Sequence, residues 1–330
     1  MLNYLSYQFL KILEKRALCL FFISTLFFIK VNAQLGFCTG NSGAPIFIEN
    51  FGTGTTNTQL PPGTTSYDYA SGSPIDGQYQ VSSSSAHFDW HRVVDHTTGD
   101  TNGKMLIVNA DFTAGEFYRT TISGLCENTS YEFSSWIINL LPASGCGGIG
   151  IPINVKFEIW DNTNTNLLAS GDTGNINATS SPNWQQYALV FQTLPSQTSV
   201  ILKMLNNGIG GCGNDLALDD IVFKSCGDTI NIEDASNQNL VSLCEDELPY
   251  VTTLTAKPDF TIFSSHFYQW QESSDGFNWT DIPGETSNTY TTAAINNAIY
   301  YRVKVAEDVI NVNNNSCNSS SEIYEIRVIS

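Results

Sequence analysis

The chain has 330 residues, 42% of them hydrophobic, with 14 Lys+Arg against 32 Asp+Glu and a formal net charge of −18 at pH 7. A surface this acidic repels phosphate backbones and anionic lipid, which sets nucleic acid and membrane surfaces aside as partners. Its many carboxylates suit hard cations such as Ca²⁺ instead.

The first segment reads as an address. Lys11, Lys15 and Arg16 precede the apolar run "ALCLFFISTLFFI", and small residues follow up to Ala33. A positive start, a short apolar core and a small-residue cleavage point predict a secretory signal peptide over residues 1–33. The run is too short to span a bilayer comfortably, and no later segment comes close, so no membrane insertion is expected. Cleavage removes four basic residues (Lys11, Lys15, Arg16, Lys30) and one acidic residue (Glu14), leaving 10 Lys+Arg, 31 Asp+Glu and a net charge of −21. A secreted, extracellular or cell-surface location follows.

Beyond the signal, helical periodicity is almost absent. Short runs of β-branched and aromatic residues alternate with Gly, Asn, Ser, Thr and Pro clusters, which predicts an all-β protein. "SYEFSSWIINL" puts Tyr131, Phe133 and Ile137 on one face, and "INVKFEIW" puts Val155, Phe157 and Ile159 together opposite Lys156 and Glu158. "QQYALVFQT" and "SVILKMLNN" continue the period of two expected of half-buried sandwich strands. Residues 34–226 hold enough candidate strands for a jelly-roll β-sandwich. The polar, acidic stretch "CGDTINIEDASNQNL" then suggests a linker over 227–240. Residues 241–330 supply about seven further strands, with Trp270 as the expected core indole and Tyr300 or Tyr301 as a corner tyrosine. This second set resembles an immunoglobulin-like domain of bacterial surface proteins. It departs from the antibody pattern at Arg302, where a strand cysteine would stand.

Seven cysteines remain after the signal, none in a CxxC pair, which argues against a thiolate zinc site and for disulfides. Parity within each domain predicts Cys38–Cys226, Cys146–Cys212 and Cys244–Cys317, with Cys126 unpaired.

"HFDWHRVVDHTTGD", residues 87–100, concentrates three histidines and three aspartates. His87 and His91 have the spacing of a zinc pair, but no glutamate follows His87 and no helix pattern surrounds them. "GCGGIG" (145–150) and "GIGGCG" (208–213) match a dinucleotide fingerprint, yet strands follow them where a helix N-terminus is required. They are better placed as loops at one end of the sandwich, tied through Cys146 and Cys212. No GxSxG or other nucleophile signature is present, so no catalytic residue is assigned.

Trp90 with "DHTTGDTNGKMLIVNA" (Asp95 to Ala110) resembles the pattern of MAM-type jelly-roll domains. The span from "PIFIENFGTG" through "GEFYRTTISGLCENTSYEFSSWIINLLP" to "GNDLALDDIVFKSCGD" resembles, more closely, a carbohydrate-binding-like jelly-roll module of gliding bacteria. That module belongs to proteins leaving by type IX secretion, often with immunoglobulin-like repeats. The resemblance implies a polar turn at Asp95 to Gly103. It also implies a structural Ca²⁺ held by Glu49 and Asp219, beside Asp220, where the first and last strands meet. The expected function is non-catalytic adhesion or glycan binding. The jelly roll is the binding head, the second domain a spacer, and the partner a glycan or surface protein. Trp90, Tyr67, Tyr69 and Tyr118 are the candidate sugar-stacking rings. The alternative is a polysaccharide-active hydrolase or lyase using the acidic and histidine groups.

Overall fold

Alternation along the strands builds two sandwiches in the computed structural model, which describes residues 35–329. The expected signal peptide lies outside the described residues. In the strand Ser199–Asn206, Val200, Leu202 and Met204 are buried while Lys203 and Leu205 are half-exposed. In Val155–Asp161, Val155, Phe157 and Ile159 are fully buried. Side chains two apart share a face, so each strand contributes one apolar row to the core.

The first sandwich contains β1 (Ser42–Glu49), β2 (Asp68–Tyr69), β3 (Gln78–Ser82), β4 (Met105–Asn109), β5 (Glu116–Ser123) and β6 (Ser130–Asn139). It continues with β7 (Val155–Asp161), β8 (Leu167–Asp172), β9 (Gln185–Gln192), β10 (Ser199–Asn206) and β11 (Asp215–Cys226). One sheet runs β2-β3-β4-β11-β6-β9, with β1 on the second half of β11; the other runs β5-β10-β7-β8. Phe133 packs against Phe157 at 5.0 Å and Phe223 at 5.4 Å between ring centroids, at the centre of the core. The architecture is all-β, with the jelly-roll-like sandwich leading.

The second sandwich contains β12 (Ile230–Glu233), β13 (Leu240–Cys244), β14 (Thr253–Pro258), β15 (Phe267–Ser273), β16 (Thr280–Asp281), β17 (Thr289–Thr291), β18 (Ile299–Ala306), β19 (Ser319–Ser320) and β20 (Tyr324–Ile329). A sheet β12-β14-β17 faces a sheet β13-β20-β18-β15-β16 that carries β19 on β18. Trp270 is fully buried between them, and its Nε1 donates to Ser287 O at 2.8 Å.

Two expectations change here. The stretch read as a linker, 227–240, already belongs to the second sandwich. β12 pairs with β14, and fully buried Asp228 accepts N–H bonds from Ile262 and Phe263 and holds His266 Nε2 at 2.6 Å. Asp228 is a satisfied interior acid, while residues 235–239 form an exposed turn whose polarity is that of solvent-facing chain. The Cys244–Cys317 bridge does not form either. Cys317 pairs with Cys126 at a Cα–Cα distance of 5.8 Å, and Cys244 is a free, exposed thiol. Counting cysteines domain by domain fails because the β5–β6 loop of the first sandwich lies against the 307–318 loop of the second. Cys38–Cys226 and Cys146–Cys212 are bridged, with Cα–Cα distances of 5.7 and 5.9 Å.

Buried polar contacts join the sandwiches around the Cys126–Cys317 bond. Ser225 Oγ donates to Asn318 O at 2.6 Å, Ile230 N to Asn41 Oδ1 at 2.6 Å, and Asn311 Nδ2 to Thr129 Oγ1 at 3.3 Å. The described residues, 35–329, fall within one compact unit.

Candidate binding site

The segment 83–103 lies over the outer face of the larger sheet. Trp90 and Val93 pack with Met105, Ile107, Ile138, Leu140 and Ala217 in a second, smaller apolar cluster edged by Trp184. Each histidine of the segment has a fixed place. His87 packs on Trp90 at 4.8 Å, and His91 Nε2 lies 3.0 Å from Thr179 O, an acceptor that requires the proton on that nitrogen. His96 stacks on Trp136 at 3.8 Å and 17°, with Nδ1 2.8 Å from Asp220 Oδ2.

The anchor is a pair of adjacent acids on β11. Successive strand residues normally face opposite sides. The register shifts between Asp219 and Val222, and Asp220 has a left-handed φ of 48°. This bulge lets both carboxylates serve the covering segment. Asp219 accepts N–H bonds from His96 (2.7 Å), Thr97 (3.2 Å) and Asp220 (2.9 Å), and Asp220 accepts from Thr97 Oγ1 at 2.6 Å. Burial pushes Asp219 up to about 7 against the pull of those donors.

The expected calcium pair is therefore divided. Asp219 is fully buried and occupied by three N–H groups, while Glu49 accepts from Phe51 N at 2.8 Å and lies near enough to Tyr118 to help burial raise that phenol. The donor set of Glu49 and Asp219 does not fit a shared cation. Another pair does. Asp95 Oδ2 and Asp100 Oδ2 are buried without any hydrogen-bond partner, and a Cβ at Gly103 would run into both carboxylates. Burial first, then the neighbouring Asp100 charge, raises Asp95. Among the described residues, no three His, Cys, Asp or Glu side chains form a metal-holding group, so backbone or solvent oxygens would complete any cation shell at this pair.

The proposed stacking rings move as well. Trp90, Tyr67 and Tyr118 are 6%, 8% and 2% exposed, which makes them core residues with no free face for a sugar. Tyr69 is half-buried, edge-on to Tyr79 at 6.0 Å. Tyr118 lies on β5, and Trp90 and Tyr67 lie in loops that fold onto the sandwich; all three are taken up by its packing.

Exposed apolar surface is found at the loop end instead. β11 runs from that end at Asp215 to the second sandwich at Cys226, so its twelve residues separate the two ends by roughly 35–40 Å. The Cys146–Cys212 bridge ties the β6–β7 and β10–β11 loops there. The glycines of both loops serve backbone geometry: Gly147 and Gly213 have φ of 68° and 105°, and a Cβ on Gly213 would lie 2.7 Å from Ile151 O. A groove of about 380 Å³ between these loops is lined by Ile149, Ile151, Ile209 and the carboxamides of Asn154, Asn175 and Asn207. A second groove, about 200 Å³, contains Asp76, His87, Asp89, Trp90 and Asp215. Asp215 accepts from Trp90 Nε1 at 3.0 Å, and burial, then the Asp76 and Asp89 charges, drives it up to about 7. Ile75, Phe88, Phe112, Ile149 and Ile209 rim this end, each at least 60% exposed.

Residues 234–329 match a family model described as Domain of unknown function (DUF8696). No curated protein matches the chain in sequence. Among solved structures, the chain is similar to the Stig cyclase Fisc from Fischerella sp. TAU, at 13% identity and a TM-score of 0.39, covering 56% of this chain and 98% of that one. It is also similar to the CBM22-1 xylan-binding domain of Paenibacillus barcinonensis Xyn10C, at 13% identity and a TM-score of 0.32, covering 57% and 97%. The CBM22-1-CBM22-2 tandem domain of the same protein aligns at 10% identity and a TM-score of 0.33, covering 87% and 90%. No helix among the described residues is long and apolar enough to cross a membrane.

Proposed function

We propose that this is an exported, non-catalytic glycan-binding protein of the type IX surface-protein kind its sequence resembles. The loop end of the first sandwich grips the ligand and the second sandwich acts as spacer. The observation that carries the reading is an asparagine-lined groove whose wall includes the exposed Ile149 and Ile209, at the end where Ile75, Phe88 and Phe112 are also exposed. A sugar ring presents an apolar C–H face and equatorial hydroxyls, and an isoleucine floor with carboxamides at its edge answers both. Exposed apolar patches at the end of a rigid scaffold also suit a protein partner. The ligand is therefore sought first on a glycan array, using the secreted chain. Ile149→Asp with Ile209→Asp is expected to abolish array binding while leaving the melting temperature within a few degrees. Binding that survives both substitutions would remove the loop end from the reading.

The segment 83–103 supports this end from beneath. Within the same reading, Asp95 and Asp100 hold a structural Ca²⁺ that neutralises two carboxylates facing one another. A second reading, acid–base hydrolysis, draws on one observation: Asp215 keeps its proton near neutral pH beside Asp76 and Asp89, as a general acid must. Turnover of a polysaccharide that Asp215→Asn removes would favour it.

A further inference from the structure

The second sandwich carries a groove of its own. It is about 520 Å³ in volume and opens between residues 42–44 of β1 and the β15–β18 face. After the predicted cleavage, acids outnumber bases by 31 to 10, yet the lining of this groove holds Arg302 and Lys304 and no carboxylate. Gln271, Asn278, Asn315 and Trp279 complete its polar and aromatic wall.

Arg302 is set as a fork. Its Nε donates to Gln271 Oε1 at 2.7 Å, and its guanidinium lies 4.3 Å from the centroid of the Trp279 ring. Those two contacts fix its plane. Among the described residues, no protein acceptor engages its terminal nitrogens. Lys304 is 5% exposed, and its Nζ is 3.0 Å from Asp281, which also takes a bond from Gln271 Nε2. Asp281 thus bonds Lys304 directly, while its charge reaches Arg302 only at longer range and leaves the terminal guanidinium nitrogens without a bonded carboxylate. The groove walls are held together by the Cys126–Cys317 bond and by the Ser225–Asn318 contact, so the site is formed before any ligand arrives.

We propose that this groove binds the anionic group of an acidic saccharide, with Arg302 as a bidentate clamp and the carboxamides of Gln271, Asn278 and Asn315 on neighbouring hydroxyls. A planar fork matched to a planar anion is the strong form of such recognition. Carboxylate (a uronate) and sulfate offer the same charge, and the test separates them. The site is distinct from the loop end and does not depend on ligand binding there.

The experiment titrates the full secreted chain with hexagalacturonic acid, with its methyl ester, and with a sulfated galactose oligosaccharide. The free acid or the sulfated sugar is expected to bind, and the neutral ester is not. Arg302→Gln weakens the binding at least tenfold. Asn278→Asp, at an exposed position, weakens it by repulsion; because Asn278 Nδ2 also bonds Asp275 at 2.7 Å, the melting temperature of this variant is measured alongside. Ile149→Asp with Ile209→Asp leaves it unchanged, which separates this site from the loop end. Absence of binding by both anionic probes, or affinity unaffected by both Arg302→Gln and Asn278→Asp, overturns the proposal.

Discussion

The two ends of the first sandwich are built from the same materials to opposite purposes. At the end facing the second sandwich, Cys38–Cys226 and Cys126–Cys317 flank buried polar contacts, and the surface is covered. At the far end, Cys146–Cys212 braces glycine-rich loops that leave isoleucine and phenylalanine in water. A disulfide at the covered end fixes the placement of one domain on another. A disulfide at the open end fixes the shape of a surface. Loops carry recognition when a rigid scaffold holds them, and the open end meets that condition.

The contrast is sharpest if the bridges are removed separately. Cys126→Ser with Cys317→Ser opens a closure spanning 191 residues, and a loss of roughly 3–5 kcal/mol is expected from chain entropy. Denaturant unfolding measures it, and the separation of one transition into two would show the sandwiches uncoupled. Cys146→Ser with Cys212→Ser costs less, because its closure is 66 residues, but it removes array binding. Equal effects on binding from both pairs would erase the proposed division of labour.

A smaller effect concerns acid at the open end. Asp215 holds its proton up to about pH 7 in the folded chain, against about 3.9 when unfolded. The folded state therefore binds the extra proton between those values, and this group's contribution to stability falls as pH rises from about 4 to 7, then levels off. Relative to Asp215→Asn, the native protein gains on the order of 2–4 kcal/mol at pH 4.5 over pH 7.5. A difference that is flat with pH would show that Asp215 is solvated.

The smallest expected effect is that of calcium. Saturation at about 100 times Kd adds roughly 2.7 kcal/mol, seen as a raised melting temperature. Asp100→Asn removes that rise and Glu49→Gln does not. The reverse result would restore the cation to the first and last strands.

Strand periodicity made both sandwiches legible, because rows such as Val155, Phe157 and Ile159 report a buried face directly. Parity pointed to bridges inside a domain, but Cys126 and Cys317 meet across a domain junction that no local pattern encodes. Trp90, Tyr67 and Tyr118 read in sequence as aromatics able to stack on a ligand, and composition does not say which aromatics a core takes up. The Asp219–Asp220 pair is visible in "LALDDIVF", yet its use depends on a bulge that turns both acids to one side. The rim of the open end is not legible in the sequence because Ile149 and Ile209 sit in glycine-rich loops, where isoleucine carries no periodic signal. Exposure is a property of the assembled surface, and only neighbours in space define it.

The Cys126–Cys317 bond has a mechanical consequence. Between the two sandwiches the polypeptide passes once, from Cys226 to Ile230, and a single short strand of chain would behave as a hinge under tension. The disulfide adds a second covalent path beside it, so a pull on one sandwich is shared between two tethers and rotation about either is blocked. With that bond closed, the segment from Cys226 to Ile230 is no longer the sole covalent joint about which the second sandwich could swivel.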